Sequence, residues 1–219
     1  MPFHHHHHGK DNRFLVQTSE STAEPVTLGE AKVFLRMEST DSTAEDGLIE
    51  DFISVARRRA ETITGRTLVT SSYSLFLDRF ESINHVIELP LPPLSTVSAD
   101  VVITYVKDTT AGDTTTIGST VFTVDPDSEP GRIYPTFDNE WPADIRDQRK
   151  AVTIQFAAGY TAANPVPTGI LNWIKMDVAG MYENRDPLVQ GTGRQSITVL
   201  PRSNVDGLLD RYTIISVAT

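Results

Sequence analysis

Only one histidine, His85, lies outside the N-terminal run His4 to His8, so any Ser–His–acid hydrolytic set would have to use it. It stands in Ile83-Asn84-His85-Val86, next to a strand start, with no GxSxG elbow anywhere in the chain; a surface or turn position is the expectation. The chain has no cysteine, which excludes disulfides, thiolate zinc sites, iron–sulfur clusters and a thiol nucleophile. P-loop, dinucleotide-binding, HExxH and calcium-loop patterns do not occur. Gly191-Thr192-Gly193 is a glycine pair in a polar loop and reads as a flexible connection. Asp125-Pro126-Asp127-Ser128-Glu129 gathers carboxylates, but a calcium site needs oxygen ligands at ordered spacing, so a solvated acidic loop is the expectation. The His run reads either as a purification tag or as part of a native arm, and a short His tract holds divalent metal without implying a function.

The densest basic cluster is Arg57-Arg58-Arg59. On a helix these three point about 100° apart, so at most one or two can face a single partner. Salt bridges within or between subunits are the reading, for example Glu61 with Arg57. The residues therefore lead to no catalytic group, no cofactor and no metal ligand set. A binding module and an assembly subunit remain.

The 219 residues, 39% apolar and 22% charged, suit one domain or two small ones and argue against disorder, collagen or coiled coil. No uninterrupted apolar window of about 18 residues is present, so no bilayer-spanning segment is expected, and no secretory signal is visible at the start. The net charge of −10 is the reverse of the basic stripe that retains nucleic acid. Between residues 100 and 144 there are nine acidic residues and two basic ones, which predicts a strongly negative surface.

The elements that must carry these residues follow from pattern. Residues 1–26 lack a helical period and read as an extended arm. Thr27-Leu28-Gly29-Glu30 is a capping box that starts a short helix ending near Arg36, with Leu28, Ala31, Phe34 and Leu35 on its apolar face. A second helix, from Thr43 or Ala44 to Thr64, places Leu48, Ile49, Phe52, Ile53, Ala56, Ala60 and Ile63 on one face and closes at Gly65. Its start is acidic and its second half basic, in keeping with the helix dipole.

From Arg66 to Tyr160 the period becomes two. Strands are expected at Thr67–Leu77, Val86–Leu89, Val97–Val106, Thr114–Ile117, Val121–Val124, Arg132–Tyr134 and Ala151–Ala157, with a type II turn at Glu129-Pro130-Gly131. A third helix follows Asn164-Pro165-Val166-Pro167, with Ile170, Leu171, Ile174, Val178 and Met181 as its stripe, widened by Trp173 and Tyr182. A loop from Pro187 to Gly193, a weak strand at Gln195–Leu200, a short helix over Val205 to Arg211 capped by Asn204, and an apolar tail Tyr212–Ala218 complete the chain. The fold class is α+β: two N-terminal helices plus a C-terminal helix, an inserted small antiparallel sheet or barrel at about 67–160, and extended arms at both ends.

The order of several short strings resembles a known family. Val26-Thr27-Leu28-Gly29-Glu30-Ala31-Lys32 with Leu35-Arg36 is similar to the opening of the phage head–tail connector proteins. Ala60-Glu61, Thr64-Gly65-Arg66, Ile87-Glu88-Leu89-Pro90-Leu91-Pro92-Pro93-Leu94, Pro130-Gly131-Arg132-Ile133, Val152-Thr153-Ile154-Gln155-Phe156 with Ala158-Gly159-Tyr160, and Met181-Tyr182-Glu183-Asn184-Arg185 continue the likeness in order. It covers Val26 to Arg185; the His-bearing arm before Ser19 and the tail beyond Pro187 depart from it.

The resemblance implies a connector domain over 27–186 and a partner-docking tail over 187–219. It implies a non-enzymatic neck adaptor of a tailed phage or gene transfer particle. Such an adaptor is a ring, commonly of twelve copies, under the portal, extending the DNA channel and docking the tail. The implied partners are further copies, the portal protein, a tail or stopper protein, and genomic DNA passing without sequence-specific binding; no cofactor or membrane is implied. The implied location is the virion neck, with assembly in the host cytoplasm. On this reading Glu50, Asp51, Arg57, Arg58 and Arg59 are candidates for intersubunit contact. Leu208, Leu209, Arg211, Tyr212, Ile214 and Ile215 are candidates for portal docking. The rival is a monomeric carbohydrate- or peptide-binding β module, whose aromatic patch would be Trp141, Tyr134 and Phe137.

Overall fold

The computed structural model describes residues 13–38, 44–80, 85–94, 101–184 and 207–214. The chain divides into two compact units: a β unit from Met1–Glu20 and Thr70–Gly159, and a helical unit from Ser21–Val69 and Tyr160–Thr219. The β unit is thus made largely of one long excursion between the second and third helices.

In the helical unit, α1 (Leu28–Phe34) begins at the capping box read from the sequence: the Glu30 N–H donates to Thr27 Oγ1 at 3.2 Å, and the Thr27 N–H donates to Glu30 Oε2 at 2.9 Å. It ends two residues before Arg36. Phe34 is not on its buried face; Val33 and Phe34 are 63% and 45% exposed, because a helix this short turns only Ala31 and Lys32 fully inward. The second helix, α2 (Asp46–Thr64), stops at Gly65, whose φ of 69° suits a residue without Cβ, and whose N–H donates to the Glu61 carbonyl. Ile49, Ile53, Ala56 and Ala60 recur at i, i+4, i+7 and i+11 and are buried. They meet Ile170, Trp173, Ile174 and Val178 of α3 (Thr168–Glu183) in one cluster with Val26, Ala31, Leu68 and Leu209. Each large side chain there contributes about 1.5–3 kcal/mol by leaving water. Trp173, read as the border of the α3 stripe, is fully buried within it.

The β unit holds two sheets, antiparallel throughout. The larger runs β1 (Phe14–Glu20), β2 (Ser71–Leu77), β8 (Val152–Ala158), β4 (Val102–Val106), β5 (Thr114–Thr116) in that spatial order. The smaller runs β3 (Ile87–Leu89), β7 (Gly131–Pro135), β6 (Phe122–Asp125). Alternation sets the buried face: Tyr73, Leu75 and Leu77 of β2 stand opposite Phe156, Ile154 and Val152 of β8, all buried. Tyr73 stacks on Phe156 at 5.6 Å between ring centroids.

Part of the N-terminal region set aside as an extended arm, Phe14–Glu20, is strand β1, paired with β2 along an edge of the larger sheet. The expected type II turn is absent. Gly131 does not take the positive φ that such a turn requires; it opens β7, and a Cβ on it would lie 2.2 Å from Leu94 Cδ1. The glycine is there for close approach of a side chain, not for backbone freedom. The helix expected over Val205 to Arg211 is, in its described part, a 3₁₀ turn at Asp210–Tyr212. The readings at 187–200, at Asn204 and of the first residues of the strand expected from Val97 lie outside the described residues. Among the described residues no helix is long and apolar enough to cross a membrane.

Candidate functional site

The helical unit ties several of its candidate contact residues into itself. Position 57 lies one step, about 100°, from the buried Ala56. Arg57 is 3% exposed, with Nε donating to Glu24 Oε2 at 2.7 Å and Nη1 to Glu61 Oε2 at 2.9 Å. Glu61 Oε1 in turn accepts the Leu68 N–H at 2.8 Å. Arg57, a candidate for intersubunit contact, is therefore engaged within its own chain. Arg59 is also engaged: it donates to both carboxylate oxygens of Asp177 at 2.7 Å, with its guanidinium 5.8 Å from the Trp173 ring centroid. Lys32, 2% exposed, meets Asp46 at 2.7 Å. The Tyr182 hydroxyl donates to Glu45. A buried charge is tolerated only when paired in this way.

What stays on the surface of α2 is a stripe at helical spacing: Asp51, Val55, Arg58 and Thr62, with Glu50 beside it, all exposed. Of the five intersubunit candidates, Glu50, Asp51 and Arg58 present their side chains to solvent. On α1, Val33 and Phe34 add apolar area that the sequence reading assigned in part to the core.

The C-terminal candidates divide in the same way. Leu209 is fully buried in the core cluster of its own unit. The Tyr212 carbonyl accepts Arg66 Nε at 2.6 Å, and the Ile214 N–H donates to the Thr64 carbonyl at 2.9 Å. The Tyr212 ring lies against Gly169, where a Cβ would come within 2.9 Å of the hydroxyl. Leu209 is thus packed inside its own chain, and Tyr212 and Ile214 are partly buried and hydrogen-bonded to it through their backbone. Leu208 and Arg211 are exposed. Ile215 lies outside the described residues.

In the β unit the acidic loop is satisfied by itself. Asp125 accepts the backbone N–H groups of Asp127 at 3.1 Å and Ser128 at 3.3 Å, and the Ser128 hydroxyl. The hydroxyl bond is the main cause holding this carboxyl below its ordinary range. Tyr105 moves the other way: burial, then its hydrogen bond to Asp144 at 3.1 Å, raises its pKa. Among the described residues no group of three or more His, Asp or Glu side chains is placed to hold a metal ion. His85 is exposed at a positive φ of 56°, in a turn as read, and its carbonyl accepts Trp141 Nε1 at 2.8 Å. The three aromatics of the rival reading do not assemble. Trp141 is buried and stacked on Phe80 at 4.8 Å, whereas Tyr134 and Phe137 are exposed.

What the described residues present are surfaces of mixed charge and some apolar area. No family model matches the chain, and no curated protein matches it in sequence. Solved structures do match its fold. A chain in the neck of an empty GTA particle computed with C6 symmetry is 22% identical, over 93% of this chain and 97% of that one, with a TM-score of 0.68. A chain in the virion of a native gene transfer agent (GTA) particle is 22% identical over 93% and 96%, with a TM-score of 0.64. A chain in the neck of a native GTA particle computed with C12 symmetry is 22% identical over 92% and 97%, with a TM-score of 0.63. The fold of this chain is therefore one that is found in particle necks.

Proposed function

We propose that the chain is a structural, non-enzymatic adaptor of the head–tail connector type, in the neck of a tailed phage or gene transfer particle. The observation that carries the reading is a shared fold over nearly the whole of both chains, helical and β parts together, with a chain from the neck of a GTA particle. The ordered strings from Val26 to Arg185 support it independently.

On this reading copies of the chain, twelve in number, close head to tail into a ring under the portal. The exposed stripe of Glu50, Asp51 and Arg58, with Val33, Phe34 and Val55, supplies side faces of both charge signs and some apolar area. The ring extends the DNA channel and docks a tail or stopper protein on its far side. The acidic balance keeps passing DNA from sticking, because Lys and Arg contacts to phosphate are what retain it. Leu208 and Arg211, exposed beside the docked Leu209, together with Ile215, contact the portal. Assembly takes place in the host cytoplasm and needs neither cofactor nor membrane.

The test is native mass spectrometry of the chain mixed with the portal protein of its own particle. A closed ring on the portal is expected, and Leu208→Asp with Arg211→Glu reduces its yield while the circular-dichroism spectrum holds. A chain that stays monomeric at micromolar concentration with portal present overturns the reading.

A further inference from the structure

Phe137 is 92% exposed, more than any other large hydrophobic side chain among the described residues. Its backbone is not loose. The Thr136 N–H donates to the Val121 carbonyl at 2.9 Å, and the Thr136 hydroxyl donates to the Thr120 and Val121 carbonyls at 3.2 Å. Asn139 closes the turn from the other side, its N–H on the Thr136 carbonyl at 2.9 Å and its Nδ2 on Thr136 Oγ1 at 2.7 Å. Asp138 holds a φ of 68° at the bend. Just beyond, buried Trp141 anchors the chain through Phe80 and the His85 carbonyl. The ring is thus presented on a braced turn, and much of the ordering cost of docking it has already been met in folding.

The surroundings specify what it docks into. Asp138 and Glu140, both exposed, follow Phe137 by one and three residues, and Tyr134 is exposed on β7 three residues before it. No basic residue stands between 133 and 145. Phosphate is repelled here, so nucleic acid does not fit. An apolar anchor followed at once by carboxylates complements a protein pocket with an apolar floor and Lys or Arg on its rim. We propose that the turn Thr136–Asn139 is a docking knob, with Phe137 as the anchor, for such a basic-rimmed pocket on another protein. The proposal goes beyond the neck reading and does not rest on it, being drawn from the β unit alone.

The experiment places the photo-crosslinker p-benzoyl-L-phenylalanine at position 137 of the full chain, with a control at the exposed Thr110, and irradiates cells that produce it. The expected result is one protein crosslinked from 137 and not from 110, through a peptide rich in Lys or Arg. With that protein purified, Phe137→Ala weakens binding roughly 30-fold, as expected for an anchor. Asp138→Lys with Glu140→Lys slows association and flattens its salt dependence. Phe137→Ala leaves the melting temperature unchanged, since the ring packs on little. The proposal is overturned by no crosslink, by a crosslink only to a second copy or to nucleic acid, by the same product from 110, or by unchanged affinity of Phe137→Ala.

Discussion

The helical unit and the β unit treat charge differently. Both charged side chains that are buried among the described residues, Lys32 and Arg57, belong to the helical unit, each neutralised by a carboxylate. The β unit closes over an apolar and aromatic core, Tyr73, Phe156, Phe80, Trp141 and the aliphatic strands, and carries its many carboxylates outside. In the first unit charge is part of the packing. In the second, charge is a property of the surface.

Mutations separate the two cases. Arg57→Ala takes the cation from Glu24 and Glu61, which are partly exposed, and leaves Glu61 its bond to the Leu68 N–H; it should destabilise the helical unit by about 2–3 kcal/mol, below the full cost of a stranded buried charge. Urea melts followed by Trp173 fluorescence measure it; a loss below 1 kcal/mol, roughly the worth of a surface pair, would mean that Arg57 is solvated after all. Asp127→Asn in the β unit, chemically the smaller change, should leave the melt where it was. The β unit is instead sensitive to volume. Gly131→Ala drives a methyl into Leu94 and should cost about 1–3 kcal/mol. Leu94→Ala in the same chain should recover part of that loss, which a purely conformational role for Gly131 would not allow. Thr27→Ala removes the cap of α1 and should cost about 1 kcal/mol, read as a small drop in the urea midpoint.

These sites differ in how far the sequence exposes them. The capping box at Thr27 and Glu30, the stripe Ile49–Ile53–Ala56–Ala60, Gly65 and the strand alternation are local patterns, and each was legible. The partner of Arg57 at Glu61 was legible too, being one helical turn away. Glu24, Asp177 for Arg59, and Asp46 for Lys32 were not, because nothing in a linear pattern marks which distant carboxylate a cation will meet. The same limit hid the docking of Leu209 and Tyr212, where an apolar tail reads alike whether its own core or a neighbour covers it. It hid the exposure of Phe34 and Phe137, since a lone aromatic carries no period. Strand β1 was missed because its alternation is weak: five of its seven residues are exposed and only one face of one neighbour supports it.

The smallest effect concerns acid. Glu30 in the helical unit and Asp125 in the β unit are both held below their ordinary values, 4.5 and 3.8. For Glu30 the main cause is the Thr27 backbone N–H, with Lys175 adding attraction at 3.6 Å; for Asp125 it is the Ser128 hydroxyl. A carboxyl with a depressed folded pKa contributes stability that is whole above the unfolded value and is lost as pH falls through the folded one. Glu30 should therefore begin to weaken α1 only below about pH 4.5, and Asp125 should loosen its own loop at lower pH still. Carboxyl chemical shifts followed by NMR would show both. Serine-to-alanine at position 128 should raise the Asp125 midpoint towards 3.8 and leave Glu30 alone. Removing Lys175 should move Glu30 only slightly, because that pair is long and Glu30 is half exposed. If Lys175→Met instead carried most of the Glu30 shift, the capping box would be held by charge across helices rather than by its local hydrogen bonds. The contrast between long-range pairing inside the helical unit and self-contained loops in the β unit would then extend even to a helix end.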